Sequence, residues 1–304
     1  MKAERASRTA AMVAYMRALA DTGASHVHEF HDPTARVFLN AKWLQRLAKI
    51  EKQIHNGREG LELALARGWA DMMALRTAAI DAAVRSAVAR GTTQVVVLGA
   101  GFDGRAWRMS ELAGIHVFEV DHPATQAVKR KHLGALPPSI ASVDFVPIDF
   151  EHDSLATALA RAGHDDTRPT CWIWEGVVMY LTRDAMRLTL ADVASRSADG
   201  SRLLVNYASP LRSLRRSLLG VFLRLLGEPV KSKSSPEEMA ADLRAAGFDV
   251  TEDSGIADWA KRFVTGVVKI QAGHAMRLVV AQRRQGVDSA VHQEGKMSYM
   301  QSAV

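Results

Sequence analysis

Cysteine is almost missing from this chain: its 304 residues contain one, Cys171. A lone thiol closes no internal disulfide and supplies no cysteine-based zinc cage, so disulfide scaffolds and zinc fingers are excluded. Long apolar runs are missing too. No stretch approaches the ~18 uncharged apolar residues of a membrane span. Near the start, Arg17 interrupts an apolar stretch already too short for a secretory signal core. These absences lead to the expectation of a soluble cytoplasmic protein. Also lacking is any Lys/Arg-rich run of about 5–8 residues of the kind a nucleic-acid arm needs, although the formal charge is +6. Aromatics are sparse at 6%, but total hydrophobic content is 48%, enough for a core and too much for global disorder.

What is present changes character near residue 90. Residues 1–90 are rich in Ala, Leu, Met and Arg and read as helical, punctuated at Asp21–Gly23, Asp32–Pro33 and Asn56–Gly57. From Thr92 onward, short apolar runs recur at Gln94–Leu98, His116–Val120, Val143–Ile148, Thr170–Trp174 and Arg202–Val205. Helical patterns fill the gaps, at Arg105–Leu112, Ala124–Leu133, Ser154–Ala162 and Arg183–Ser197. Such alternation argues βαβ units around a parallel sheet whose strands are buried on both faces. A further helix opens at Ser235-Pro236-Glu237-Glu238, where Ser caps, Pro suits the first turn and the acids suit the dipole. Two more strands, Phe248–Glu252 and Ala275–Gln282, close the core, and residues from about 285 are polar and without periodicity.

The loop between the first strand and its helix, Leu98-Gly99-Ala100-Gly101-Phe102-Asp103-Gly104, fits G-x-G-x-x-G. Glycines there let the backbone approach a ligand, and an acid at the tip of the next strand takes ribose hydroxyls. Glu119 and Asp121 stand 20 and 22 residues after Gly99. The loop alone does not choose between a dinucleotide and S-adenosylmethionine, since both carry adenosine. Three features favour the sulfonium cofactor. The third strand ends in Asp149-Phe150 and the fourth in Glu175, which gathers acids and an aromatic at one sheet edge. No second catalytic domain of dehydrogenase type follows. A net positive cofactor also tolerates several acids around it, whereas a pyrophosphate does not.

Over roughly Arg8 to Arg283 the sequence resembles class I S-adenosylmethionine-dependent methyltransferases of the leucine carboxyl methyltransferase-like family. The motifs that carry the resemblance are SRTA near the start, DPTA at Asp32–Ala35, VVVLGAGFDGRAWRM at Val95–Met109 and FEVDHPATQAVKR at Phe118–Arg130. FVPIDFEHD at Phe145–Asp153 and WIWEGVVMYLT at Trp172–Thr182 complete the set. The resemblance implies a Rossmann-like sheet of seven mostly parallel strands with an antiparallel last strand. It further implies a helical N-terminal cap (1–90), a cofactor-binding core (91–284) with a lid insertion (210–235), and a tail (285–304). The cofactor would be S-adenosyl-L-methionine. Gly99 and Gly101 would line its methionine portion, Asp121 would hold the ribose, Asp149 and Phe150 would bracket the adenine, and Glu175 would lie beside it. Arg76 would pair with the methionine carboxylate, for which a charge-assisted contact is well suited. From the residues alone, Arg76 reads equally well as an exposed helical arginine pairing with Asp71 or Asp81. One departure is Gly104-Arg105, where the family often has Thr-Arg; the missing hydroxyl is expected to loosen the loop.

Other features weigh less. His26, His28 and His31 look like a metal cluster but lack the i, i+4 spacing of a zincin, so no metal site is expected. Cys171 reads as inert core. Tyr180 and Asn206 are the candidate catalytic residues, each with a packing role as its alternative, and Asn206 and Tyr207 are placed just after the fifth strand. Five of the six surplus charges fall in Pro210–Ser235, where Arg212, Arg215, Arg216, Arg224, Lys231 and Lys233 face only Glu228. That segment reads as a lid, apolar inside and charged outside, in preference to a membrane-lying helix; an inward arginine would suit an anionic acceptor.

Methyl transfer from a sulfonium is an in-line displacement that needs proximity, alignment and dryness. A carboxylate acceptor is already ionised at neutral pH and needs no base. No Lys–Asp or His–Asp pair stands out in the sequence, which favours a small-molecule carboxylate over a phenol or alcohol. A cyclase that closes the cofactor's own aminobutyrate chain to azetidine-2-carboxylate, releasing methylthioadenosine, is the alternative. A non-enzymatic adenosine-ligand or membrane-associated module is the third reading.

Overall fold

Among the described residues, the first ninety form helices and turns before any strand appears. In the computed structural model, which describes residues 3–27, 30–134, 136, 142–150, 152–210, 231–264 and 276–285 (with side chains from residue 9 onward), α1 spans Ala3–Leu19. A 3-10 turn follows at Pro33–Phe38, then α2 at Ala41–His55 and α3 at Leu61–Ala89. Asn40 caps α2 by accepting from the Trp43 amide. The long helix α3 shows little amphipathic contrast for a physical reason. Every residue from 70 to 77 is buried, so the middle of α3 is surrounded by protein while its ends reach the surface.

Seven strands follow: β1 Gln94–Leu98, β2 His116–Asp121, β3 Ser142–Pro147, β4 Thr170–Trp174, β5 Arg202–Ala208, β6 Phe248–Gly255 and β7 Met276–Arg283. Helices α4 (Arg105–Arg108), α5 (Pro123–Leu133), α6 (Leu155–Arg161), α7 (Arg183–Ser195), α8 (Pro236–Ala245) and α9 (Ile256–Phe263) connect them. The sheet order is β3-β2-β1-β4-β5-β7-β6, parallel except that β7 runs antiparallel to both of its neighbours. The order reverses between β1 and β4. The crevice at the carboxyl ends of the strands beside that switch is where open α/β sheets take ligands.

Alternate side chains of each strand feed two cores. Val95, Val97, Val117, Cys171, Ile173 and Leu204 pack with the helices of residues 10–89 and with α9. Val96, Leu98, Phe118, Trp172, Trp174 and Leu203 pack with α6, α7 and α8. The helical first ninety residues therefore share one continuous core with the sheet, and residue 90 marks a change of secondary structure within that core.

The expected strands and helices are present, with four differences. The helix expected over Arg105–Leu112 breaks at Met109 into α4 and a 3-10 turn at Ser110–Leu112. β5 continues past Val205 because β7 supplies partners as far as Ala208↔Met276, so Asn206 and Tyr207 lie inside the strand. β6 extends to Gly255, beyond Glu252. α9 has no counterpart in the sequence reading, although Ile256, Trp259, Ala260 and Phe263 form a helical stripe. Most of the expected lid (211–230) and most of the tail (286–304) lie outside the described residues, as does His28.

Candidate active site

β1 delivers the chain into the glycine loop at the carboxyl edge of the sheet. Gly99 and Gly101 have φ of +66° and +48°, the left-handed region open chiefly to glycine. A Cβ on Gly99 would stand 2.4 Å from Val177 Cγ2. The loop is fastened to the neighbouring strand: the amides of Gly99 and Ala100 donate to Val120 O at 2.8 and 3.1 Å. Asp121 completes the fastening, its Oδ2 accepting from the Gly101 amide at 2.5 Å and its Oδ1 from the His122 amide at 2.6 Å. Burial pushes the Asp121 carboxyl up, against those two amides.

The two acids at the end of β2 have separate fates. Asp121 sits at the tip, whereas Glu119 is fully buried and ion-paired to Lys129 of α5 at 2.5 Å. Burial pushes the Glu119 carboxyl up to about 7 in spite of that lysine. Gln126, one turn before Lys129, donates its Nε2 to Glu119 O at 2.9 Å and to Val146 O at 3.0 Å, which clamps the ends of β2 and β3 together. Ile148 N donates to Asp121 O at 3.0 Å. Asp149, half-buried, and Phe150, 38% exposed, come next, so the Phe150 ring lies outside the core at the β3 tip.

Beyond β4 the fold assembles a buried network of charges. Arg76 of α3 is buried and meets Glu175 through its Nε at 2.7 Å. Asp71 and Asp81, the alternative partners for Arg76, are engaged elsewhere. Asp71 accepts from Ser25 Oγ and the His26 amide, and Asp81 takes Arg105 and Arg108. Arg105 is the hub: Nη2 lies 2.8 Å from Glu175, Nε 2.8 Å from Asp81, and Nη1 meets Asp103. Arg108 continues to Asp81 at 2.7 Å and to Asp32 at 3.7 Å, and Asp32 meets Arg17 of α1 at 3.4 Å. Burial raises Glu175 and Asp103, but the surrounding cations (arginines for Glu175; Arg105, Lys129 and Arg17 for Asp103) outweigh it, and both carboxyls are held below the usual range.

The network is chemically ready for a zwitterion. Four arginines balance Asp32, Asp81, Asp103 and Glu175. Arg76 Nε and Arg105 Nη2 approach Glu175 off the hydrogen-bond axis, so these two buried donors have no aligned acceptor among the described residues. An incoming carboxylate can take such a donor, and Glu175 can face an ammonium. The glycine cradle, the Asp121 tip and this pair together fit an amino-acid nucleoside. Sequence reasoning gave no site role to Arg105, Arg108, Asp81 or Asp32; the charge density of DGRAWR hinted at the two arginines alone.

The remaining candidates are placed as follows. Tyr180 ends a 3-10 turn, Val178–Tyr180, and is half-buried. Extending the β4–β5 register by one residue, from Trp174↔Val205, sets Asn206 beside Glu175. Asn206 is wholly buried; its Nδ2 donates to Arg277 O at 3.0 Å, and its Oδ1 has no hydrogen-bond partner among the described residues. Gly104 is filled rather than loosened, since a Cβ there would stand 2.0 Å from Thr34 Oγ1. The DPTA segment thus brings the Thr34 hydroxyl into the space beside this glycine. His26 and His31 turn to different acids, Asp71 at 2.9 Å and Asp21 at 3.6 Å. The first of these is a His–Asp pair, which the sequence reading did not foresee because its members are 45 residues apart. Lys231 is held at the backbone, its amide donating to Met179 O at 2.8 Å.

Residues 10–194 match the family described as leucine carboxyl methyltransferase. The chain belongs to that family. A Mycobacterium avium protein assigned by name to the S-adenosyl-L-methionine-dependent methyltransferases is 33% identical over 282 residues, covering 89% of this chain and 83% of its own. A similarly named Streptomyces coelicolor protein is 43% identical over 131 residues, 42% of this chain and 46% of its own. In fold, the chain is similar to a methyltransferase crystal structure from Thermobifida fusca (TM-score 0.54, 15% identity, 88% of this chain and 94% of that one). This leucine carboxyl methyltransferase family member is an S-adenosylmethionine-dependent enzyme with the Rossmann-like methyltransferase sheet. No helix among the described residues is long and apolar enough to cross a membrane.

Proposed function

We propose that this enzyme methylates a carboxylate oxygen of a small molecule. One observation carries the reading: three of the acids gathered at the site are already committed. Asp121 is held by backbone amides, and Asp103 and Glu175 by arginines. Among the described residues, none of these three is left as a proton acceptor, and a carboxylate substrate needs none. The family's description, which names a carboxyl group, agrees. The cofactor supplies a methyl group on a positively charged sulfur. The chain's share is placement: Gly99 and Gly101 let the backbone come close, Asp121 takes the ribose, and Asp149 and Phe150 bracket the adenine. Arg76 receives the carboxylate of the methionine end and Glu175 faces its ammonium. Holding donor and acceptor in line, with water kept out, is the main source of rate in such a displacement.

A hydroxyl acceptor is the second reading, favoured by the His26–Asp71 pair. Nδ1 of His26 lies 2.9 Å from an Asp71 oxygen, so in the neutral ring the proton sits on Nδ1 and Nε2 keeps a lone pair. Asp71 precedes Arg76 by five residues on α3, about 7.5 Å along the axis. Product chemistry separates the readings. The enzyme is incubated with methyl-labelled S-adenosylmethionine and a metabolite pool, and the products are treated with mild alkali. A methyl ester releases labelled methanol, as expected here; an alkali-stable methyl ether selects the hydroxyl reading. Methylthioadenosine formed without any acceptor would displace both in favour of the cyclase.

A further inference from the structure

Arg105 touches three acids at once and is itself buried, yet the proposed function uses it only to occupy two of them. Its contacts come from three separate elements: Asp81 on α3, Asp103 in the glycine loop, and Glu175 just beyond β4. A planar guanidinium with five donors suits such a junction, and a lysine with one charged point does not. We propose that Arg105 is a positioning residue for methyl transfer, holding Glu175 against Arg76 so that the pair receives the amino-acid end of the cofactor. This rests on the reading of Arg76 and Glu175 given above.

The geometry leaves few other ways to hold Glu175. Among the described residues, the charged groups that act on it most are Arg76 from α3, Arg105 from α4, Asp103 from the glycine loop and Arg17 from α1. Of these, only Arg76 and Arg105 reach it, one on each oxygen. Removing Arg105 frees one oxygen and leaves Asp103 nearby without its principal counter-charge. Burial and that neighbouring anion then both favour the protonated carboxyl. A protonated Glu175 no longer attracts an ammonium. The loss is therefore pH-dependent: cofactor affinity falls as pH is lowered, whereas in the native enzyme two arginines keep Glu175 ionised across the neutral range.

The test is calorimetric binding of S-adenosylhomocysteine to the full chain at pH 6.0 and pH 8.5. Native enzyme, Arg105→Gln, Arg105→Lys and Glu175→Gln are compared, with folding checked by near-ultraviolet circular dichroism. Protonation of the ligand's amine affects all four proteins alike, so each variant's affinity ratio between the two pH values is divided by the native one. Arg105→Gln is expected to bind more than tenfold more weakly at pH 6.0 than at pH 8.5 after that correction. Arg105→Lys, which restores charge without the fork, falls between. Glu175→Gln is weak at both pH values and has lost the extra slope. A folded Arg105→Gln with native affinity and slope overturns the proposal; if Arg105→Gln does not fold, the same result for Arg105→Lys does so. Native affinity in Glu175→Gln overturns instead the reading of Glu175 on which the proposal rests.

Discussion

Substituting Gly99 by alanine separates two costs that the structure keeps apart. The first is conformational: at φ +66° an L-residue carries about 1–2 kcal/mol of strain. The second is steric, because the new Cβ would stand 2.4 Å from Val177 Cγ2, and overpacking of this kind costs about 1–3 kcal/mol. Gly99→Ala should therefore destabilise the fold by about 2–5 kcal/mol, a large part of the ~5–15 kcal/mol that holds a typical domain. Val177→Ala removes two half-buried methyl groups and costs about 1 kcal/mol alone. In the double variant the clash disappears while the backbone strain stays. The double should accordingly be more stable than the sum of the singles by about 1–3 kcal/mol, a coupling well above the additivity error. Urea unfolding of the four proteins, with equal m-values, measures it. Simple additivity would refute the packing of Val177 against the loop. A costless Gly99→Ala would refute the left-handed conformation itself.

Three further outcomes are expected. Asp121→Ala weakens S-adenosylhomocysteine binding by more than about tenfold, or 1.4 kcal/mol; unchanged affinity in a folded variant removes the ribose assignment. Lys129→Met strands the buried Glu119 and should cost about 3–5 kcal/mol in denaturant unfolding, so a loss below about 1 kcal/mol means the pair is not buried as described. Two buried groups oppose each other in the pH dependence of stability. Glu119, raised from 4.5 to about 7, makes the folded state bind the extra proton, so its contribution falls as pH rises through that window. His164, lowered from 6.5 to about 4 by burial first and Arg196 second, binds fewer protons when folded, so its contribution rises between pH 4 and 6.5. Replacing His164 by Gln removes the rising term, and stability should then decline from about pH 5 to pH 7; a flat or rising profile contradicts the sign.

The candidate site at the sheet edge was legible in the sequence wherever chemistry and local conformation coincide. Gly99 and Gly101 advertise a positive-φ turn, and the short strands before Asp121, Asp149 and Glu175 carry acids to one edge whatever the packing of the helices. Local pattern failed where a long-range partner decided the outcome. Asn206 reads as a residue beyond the strand until β7 pairs with it. Gly104 reads as a missing hydroxyl until Thr34 fills the space. The His26–Asp71 pair and the Arg105 junction join residues 45 and 70 positions apart, through side chains that carry no periodic signal.

Alternating apolar runs and helical stripes set by themselves the sequence of strands and helices around a parallel sheet, because burial on both faces of a strand demands continuous apolar residues. They also placed the glycine turn, because only glycine enters the left-handed region cheaply. Which acids remain available for a ligand was decided by tertiary structure alone. Glu119 and Asp121 stand two residues apart on one strand, yet one is spent on Lys129 and the other holds the loop. Likewise Arg76, equally suited by sequence to Asp71 or Asp81, meets Glu175. Charges buried away from water must find counter-charges, and the nearest in space are seldom the nearest in the chain.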